Sequence, residues 1–273
     1  MLDILSYTFM QRAILASILG GMGCGIVGVW IVMLRIPFVG VAMSHAAFAG
    51  AILGLLLGIN PLTLAIILCL GSSFLIGPLS ERGEFDPNVS LGIIFSIMLG
   101  IAFLGMGFLK GPKTEALRLL WGSILTISPK GLSWLGIITS LLILFSLLFF
   151  KETTAILFNR EIARAVGIPE RAIFYSLLFL SGLTVTLNLS TIGGLLIFSL
   201  IINPPSAAYQ LTYNLKTMFL LSIIFGISSC LLGLLFSYLF NAPSGAVIII
   251  VSSLIFGFSL LFSPKKLKPG LHS

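Results

Sequence analysis

Long apolar runs dominate the chain, and short polar or proline-containing stretches separate them. Runs of about 20 apolar residues recur along the whole length, each long enough to cross a hydrocarbon core as a helix. The alternation over roughly ten-residue segments that marks a membrane β-barrel does not occur. Hydropathy and helix breakers together predict spans near 13–34, 38–58, 61–79, 90–109, 132–150, 172–188, 192–210, 216–240 and 243–262. Two joints are tight, "RIP" at 35–37 and "NP" at 60–61, where a proline closes one helix and can begin the next. The pattern predicts an all-α polytopic membrane protein, one transmembrane domain over 1–273, with nine spans, or eight if a short one is re-entrant.

Composition points the same way. Of 273 residues, 58% are hydrophobic and 8% charged, against about 25% charged in soluble domains. The formal charge of +7 is spread over the loops between spans, so it reads as an orientation signal and not as a nucleic-acid footprint. Placing the 151–171 loop in the cytoplasm puts Arg35, Arg82, Lys151, Arg160, Arg164, Arg171, Lys216, Lys265, Lys266 and Lys268 inside. Arg12, Lys110, Lys113, Arg118 and Lys130 remain outside. In this arrangement the N-terminus is external and the basic tail 263–273, "SPKKLKPG", is cytoplasmic. The opening "MLDILSYTFMQR" lacks the basic region and cleavage site of a signal peptide.

The chemistry available is sparse. Cys24, Cys69 and Cys230 all fall in apolar runs with no metal-knuckle spacing, and read as small buried hydrophobes. No GxxxxGK[ST] phosphate loop is present. The chain is therefore expected not to be an enzyme, and driven transport would take its energy from a partner or an ion gradient. No Asp or Glu lies within any expected span, which argues against a proton-coupled carrier.

Small residues recur at intervals of four in two spans. Ala42, Ala46, Gly50, Gly54 and Gly58 form one ridge, and Ala16, Gly20, Cys24 and Gly28 form another. Such ridges let helix backbones approach closely, so both helices are expected inside the bundle. His45, in "VAMSHAAFAG", lies beside the first ridge. Met43 and Cys24 are soft donors or plain packing. Asn203, in "INPPSAA", sits where Pro204 and Pro205 interrupt a helix and free backbone carbonyls.

The loop "LFNREIARAVGIPERAIF", residues 157–174, encodes a short helix. Asn159 suits the N-cap, Glu161 the first turn, Gly167 the left-handed C′ position, and Pro169 the stop. Ile162 and Val166 lie one turn apart on its apolar side, opposite Arg160 and Arg164. A surface turn and a lever that docks into a cytoplasmic partner both fit this spacing. The external stretch "TEALRLLWGSILTISPKGLSWL", residues 114–135, is amphipathic, and its Trp121 and Trp134 suit a membrane-interface belt.

Several segments together resemble one family, the ABC-3 type permease subunits of metal-ion (zinc, manganese, iron) ABC importers. They are "FMQRAILASILGGMGCGIVGVWIVMLR", "SHAAFAGAILG", "LLWGSIL", "FNREIARAVGIP", "GGLLIFSLIINPPSAA" and "APSGAVIIIVSSLIFGFSLLF", in family order and over nearly the whole chain. The resemblance implies a type II ABC importer-like permease fold in the cell (cytoplasmic) membrane. It implies a homodimer with the translocation path near its axis, two cytoplasmic ATPase subunits that bind the ATP, and an external metal-binding protein. The cargo would be a divalent Zn, Mn or Fe ion, with no cofactor bound by this chain and no nucleic-acid partner. Residues 159–167, within the loop 157–171, would be the coupling helix that sits in a cleft of the ATPase.

Family members show an aspartate four residues before the histidine of an S-H-A stretch, so that acid and histidine share a helix face and suit Zn²⁺ or Mn²⁺. Here His45 matches, but Val41 stands at the aspartate position. Three roles for His45 remain open: half of a metal site completed by a symmetry mate, a gate residue, or a donor to a backbone carbonyl. Two other functions also fit, a gradient-driven metal transporter or channel, and an ABC permease for a metal chelate.

Overall fold

A computed structural model describes residues 7–83, 87–109, 124–189 and 192–267, apart from the side chains at 77–83, 87, 195, 266 and 267. Arg82, Lys110, Lys113, Arg118, Trp121, Lys266 and Lys268 of the charge and belt arguments fall outside these descriptions. The elements run α1 (Thr8–Met33), α2 (Phe38–Leu57), α3 (Pro61–Gly83), α4 (Pro87–Phe108), α5 (Pro129–Leu148), α6 (Phe150–Phe158), α7 (Arg160–Ala165), α8 (Glu170–Leu189), α9 (Gly194–Leu211), α10 (Leu215–Phe240) and α11 (Ser244–Leu261). Short 3₁₀ turns stand at Ile124–Thr126 and Pro264–Leu267.

Seven of these helices, α1, α2, α4, α5, α8, α10 and α11, are long and apolar enough to cross a membrane. Helix α3 is apolar over Pro61–Ile76, and α9 carries Pro204 and Pro205 in its interior. The expectation of nine spans therefore rests, for its last two, on these helices. Two boundaries differ from the sequence reading. Helix α1 starts five residues before the expected 13, at Thr8, and α5 ends at Leu148, after which the chain goes on through Lys151 and Glu152 as the separate helix α6.

Burial divides the helices into centre and rim. The apolar windows of α1, α2 and α8 are each 72% buried, against 22% for α5, 28% for α4 and α11, and 33% for α10. Helix α1 packs against α5, α8, α9 and α10, while α2 packs against α3, α4, α8 and α9. The expected interior placement of the two ridge-bearing helices is met. Gly21 and Gly226 make the α1–α10 crossing possible: a Cβ on Gly21 would lie 2.7 Å from the Gly226 carbonyl. The Ser222 hydroxyl then donates across that crossing to the Gly25 carbonyl at 2.8 Å, the interhelical bonding that polar side chains supply in lipid.

Most of the described charges collect at one end, with Arg12 and Lys130 at the other. Lys216 Nζ lies 5.7 Å from the Phe150 ring centroid. Lys265 Nζ lies 3.6 Å from that of Tyr209, and bonds to the Tyr209 carbonyl. A cleft of about 890 Å³ joins Arg35 at the end of α1 to Asn159, Arg160 and Glu161 at the start of α7 and to Tyr209 near the end of α9. At the opposite end, Tyr7, Leu234, Tyr238 and Pro243 gather around a groove of about 450 Å³. The basic end holds the loop assigned to the cytoplasm from the lysine and arginine count.

Candidate functional site

His45 sits seven residues into α2, about 10 Å along the helix from its basic end. It is half-buried, and its ring meets Phe95 of α4 edge-on, with centroids 4.8 Å apart and planes at 84°. Its Nδ1 lies 3.0 Å from the Val41 carbonyl oxygen. A carbonyl only accepts, so Nδ1 carries the proton and the neutral ring keeps its lone pair on Nε2. Ser44 also donates to the same carbonyl, at 2.9 Å. At the position where the resemblance implies a carboxylate stands Val41, and its backbone carbonyl orients the imidazole. Orienting a histidine through its second nitrogen is how metal-binding imidazoles are held.

The remaining candidates separate in space. Met43 is 1% exposed and packs in the main apolar core, as does Cys24. Asn203, on α9, donates through Nδ2 to Ser199 at 3.1 Å, Ser252 at 3.0 Å and Ser253 at 3.0 Å. This ties α9 to α11, and its hydrogen-bond partners are not those of His45. Among the described residues no group of three or more His, Cys, Asp or Glu side chains could hold a metal ion.

The ridge residues pack as follows. A Cβ on Gly50 would meet the Leu64 carbonyl at 2.4 Å, and one on Gly54 would meet Pro61 at 2.7 Å, so this ridge seats α3. Ala46 is fully buried. On α1, Gly20 faces Ile192 and Asn188, and Gly28 faces the Ile201 carbonyl. Gly58 is a correction to the ridge: it is exposed, has nothing within 4 Å of a built Cβ, and caps α2 at φ +69°. Its place there follows from left-handed backbone, which glycine adopts freely.

The short helix α7 is built as its sequence encodes. The Asn159 side chain accepts from Glu161 N at 2.9 Å and Ile162 N at 3.1 Å. Gly167 takes φ +86°, and its N–H bonds to the Arg164 carbonyl at 3.1 Å. Ile162 and Val166 are 63% and 70% exposed, and Phe158 just before the helix is 74% exposed. Such a knob of uncovered apolar side chains on a capped helix is a docking surface in form.

Glu170 escaped the sequence reading. Its side chain is fully buried and accepts from Arg164 Nη2 at 3.0 Å and from Arg160 Nε. The Arg160 guanidinium also lies 3.8 Å from the Phe174 ring centroid. The available signal was an acid in the first turn of α8, six residues beyond one arginine and ten beyond the other.

Comparison with known proteins agrees with this architecture. The model of the ABC 3 transport family matches residues 6–263. The manganese transport system membrane protein MntC of Halalkalibacterium halodurans is 30% identical over 265 residues, covering 97% of this chain and 90% of that one. A probable iron transport system membrane protein of Haemophilus influenzae is 30% identical over 271 residues, covering 98% of each. Among solved structures, PsaBC from Streptococcus pneumoniae in complex with Fab matches with a TM-score of 0.87 at 28% identity, covering 97% of this chain and 96% of that one. With its membrane-crossing helices and a match along almost its whole length, this chain belongs to the ABC 3 transport family and is a multi-pass permease component of the cell membrane.

Proposed function

We propose that the chain is the membrane-spanning subunit of an ATP-driven importer for a divalent transition-metal ion of the manganese and iron class. It works as a homodimer with two cytoplasmic ATPase subunits and an external metal-binding protein. The observation that carries this reading is α7, a helix capped at both ends whose Ile162 and Val166 stand uncovered at the basic end. Asn159, Glu161, Ile162, Arg164, Val166 and Gly167 are its coupling residues. The relatives named for manganese and iron transport support the cargo class.

His45 lines the pathway, with Nε2 as the one ready metal donor on α2, and Asn203 is a second polar group on a pathway helix. Met43 has no part in the path, because it is enclosed in the core. One neutral imidazole per chain binds a dication weakly. Weak binding suits passage, which requires an ion to leave as readily as it enters. The same shortage of ligands, with Val41 in place of an acid, favours a second reading in which a metal chelate is the cargo.

Uptake of free Mn²⁺ and of chelated metal, by cells producing the chain with its ATPase, tests the reading. ATP-dependent uptake of free Mn²⁺ that falls in a His45→Ala variant is the expected result. Uptake restricted to the chelate favours the second reading, and Mn²⁺ uptake unaffected by His45→Ala removes the histidine from the path.

A further inference from the structure

Helix α7 has six residues, too few to hold its orientation by its own backbone bonds. A lever of that length transmits force only if something fixes it to the bundle. Four residues, Val166 to Pro169, join α7 to α8, and the N–H groups of Val166, Gly167 and Ile168 bond back onto α7 and not to α8. The buried Glu170 carboxylate closes that joint. Its Oε1 takes Arg160 and its Oε2 takes Arg164, one turn further along α7, so the two arginines are held from both ends of the helix. The Arg160 guanidinium is sandwiched further onto Phe174, one turn into α8. Charge-assisted bonds to a desolvated carboxylate are the strong and directional kind.

Helix α8 in turn is a central member of the bundle, packed against α2, α3, α5 and α1. A displacement of α7 thus reaches α2, the helix of His45, through two rigid contacts in series. On the reading of α7 as the coupling helix, we infer that Glu170 is a positioning residue that clamps α7 to α8 through Arg160 and Arg164, so that movement of a docked ATPase is passed to the membrane helices. Exposed Ile162 and Val166 make the docking contact; Glu170 determines whether that contact does work on the pathway.

The test uses the full chain assembled with its ATPase and binding protein in proteoliposomes, with Mn²⁺ as cargo, and reads Mn²⁺ moved per ATP hydrolysed. Glu170→Gln is expected to leave assembly and ATP hydrolysis in place and to lower the ratio severalfold, with Glu170→Asp recovering part of it. Because a buried charge change can impair folding, the joint variant Arg160→Gln/Arg164→Gln, on partly exposed side chains, is measured as well. It is expected to lower the ratio, and adding Glu170→Gln to it is expected to lower it no further, since the three groups act as one unit. An unchanged ratio in any assembled variant, or additive losses in the triple variant, overturns the clamp. A wild-type assembly that moves no Mn²⁺ on ATP addition overturns the importer reading, and the clamp with it.

Discussion

Replacing Gly28 with alanine places a methyl group where two helix backbones already touch. A Cβ there would lie 2.2 Å from the Ile201 carbonyl oxygen, 2.7 Å from Pro205 Cγ and 3.1 Å from the Ile201 carbonyl carbon. The carbonyl faces α1 for a covalent reason: Pro205 has no N–H to bind it four residues on, so it is not held in the helical ladder. Neither obstacle is the free end of a flexible side chain. Restoring ordinary contact requires the α1–α9 crossing to open by about 1 Å, and a gap of that size forfeits a quarter to a half of each contact's ~0.1–0.2 kcal/mol. Over the tens of atom pairs at a helix crossing the loss is about 1–3 kcal/mol, the range found for overpacked cores. The better helix propensity of alanine offsets at most about 1 kcal/mol of it. Thermal unfolding of the purified chain in detergent reads the difference, expected as a Tm about 2–6 °C below that of a glycine-to-alanine control with the same gain in propensity. Gly100→Ala on α4 is the control, since nothing lies within 4 Å of its built Cβ, and its Tm is expected to match or slightly exceed wild type. A Gly28→Ala protein as stable as the Gly100→Ala control would refute the close-approach argument.

Three further outcomes follow from the site. Val41→Asp restores the acid of the family pattern one turn before His45, and is expected to tighten binding of Mn²⁺ measured by calorimetry on the purified chain; no change in affinity would mean that Val41 and His45 do not face the path. Asn159→Ala removes both N-cap bonds of α7, at a cost of about 1 kcal/mol to that helix; faster amide exchange confined to 160–166 is expected, and exchange at the wild-type rate contradicts the cap. Asn203→Ala breaks two interhelical contacts between α9 and α11, to Ser252 and Ser253, worth about 1 kcal/mol at roughly 0.6 kcal/mol each; an unaltered Tm would show that the serines pair equally well without it.

The helices were legible because an apolar run in lipid has to satisfy its own backbone, which leaves the helix as its only open form. The caps of α7 were legible for a related reason: Asn159 and Gly167 act on groups two or three residues away, so sequence spacing contains the whole interaction. Helix α6 was hidden, because the polar run Lys151–Thr154 marks where the fifth span ends but not that the chain stays helical beyond Phe149. The site was half legible. His45 announced itself as an ionisable group in an apolar helix, but its tautomer depends on the Val41 carbonyl, which no side-chain pattern encodes. Met43 shares a helix with His45 yet points into the core, a distinction that the neighbouring helices make. Glu170 was missed because its partners meet it only after the chain turns at Gly167.

The central claim, that this chain passes a metal ion under the control of a separate ATPase, is tested most directly by flux into sealed proteoliposomes. The chain alone is compared with the chain assembled with its ATPase and binding protein, with Mn²⁺ outside and a pH gradient imposed in both. The account predicts Mn²⁺ accumulation only in the full assembly, only with ATP on the side of the basic helix end, and lost on collapse of ATP but not of the gradient. Accumulation by the lone chain driven by the gradient would contradict it.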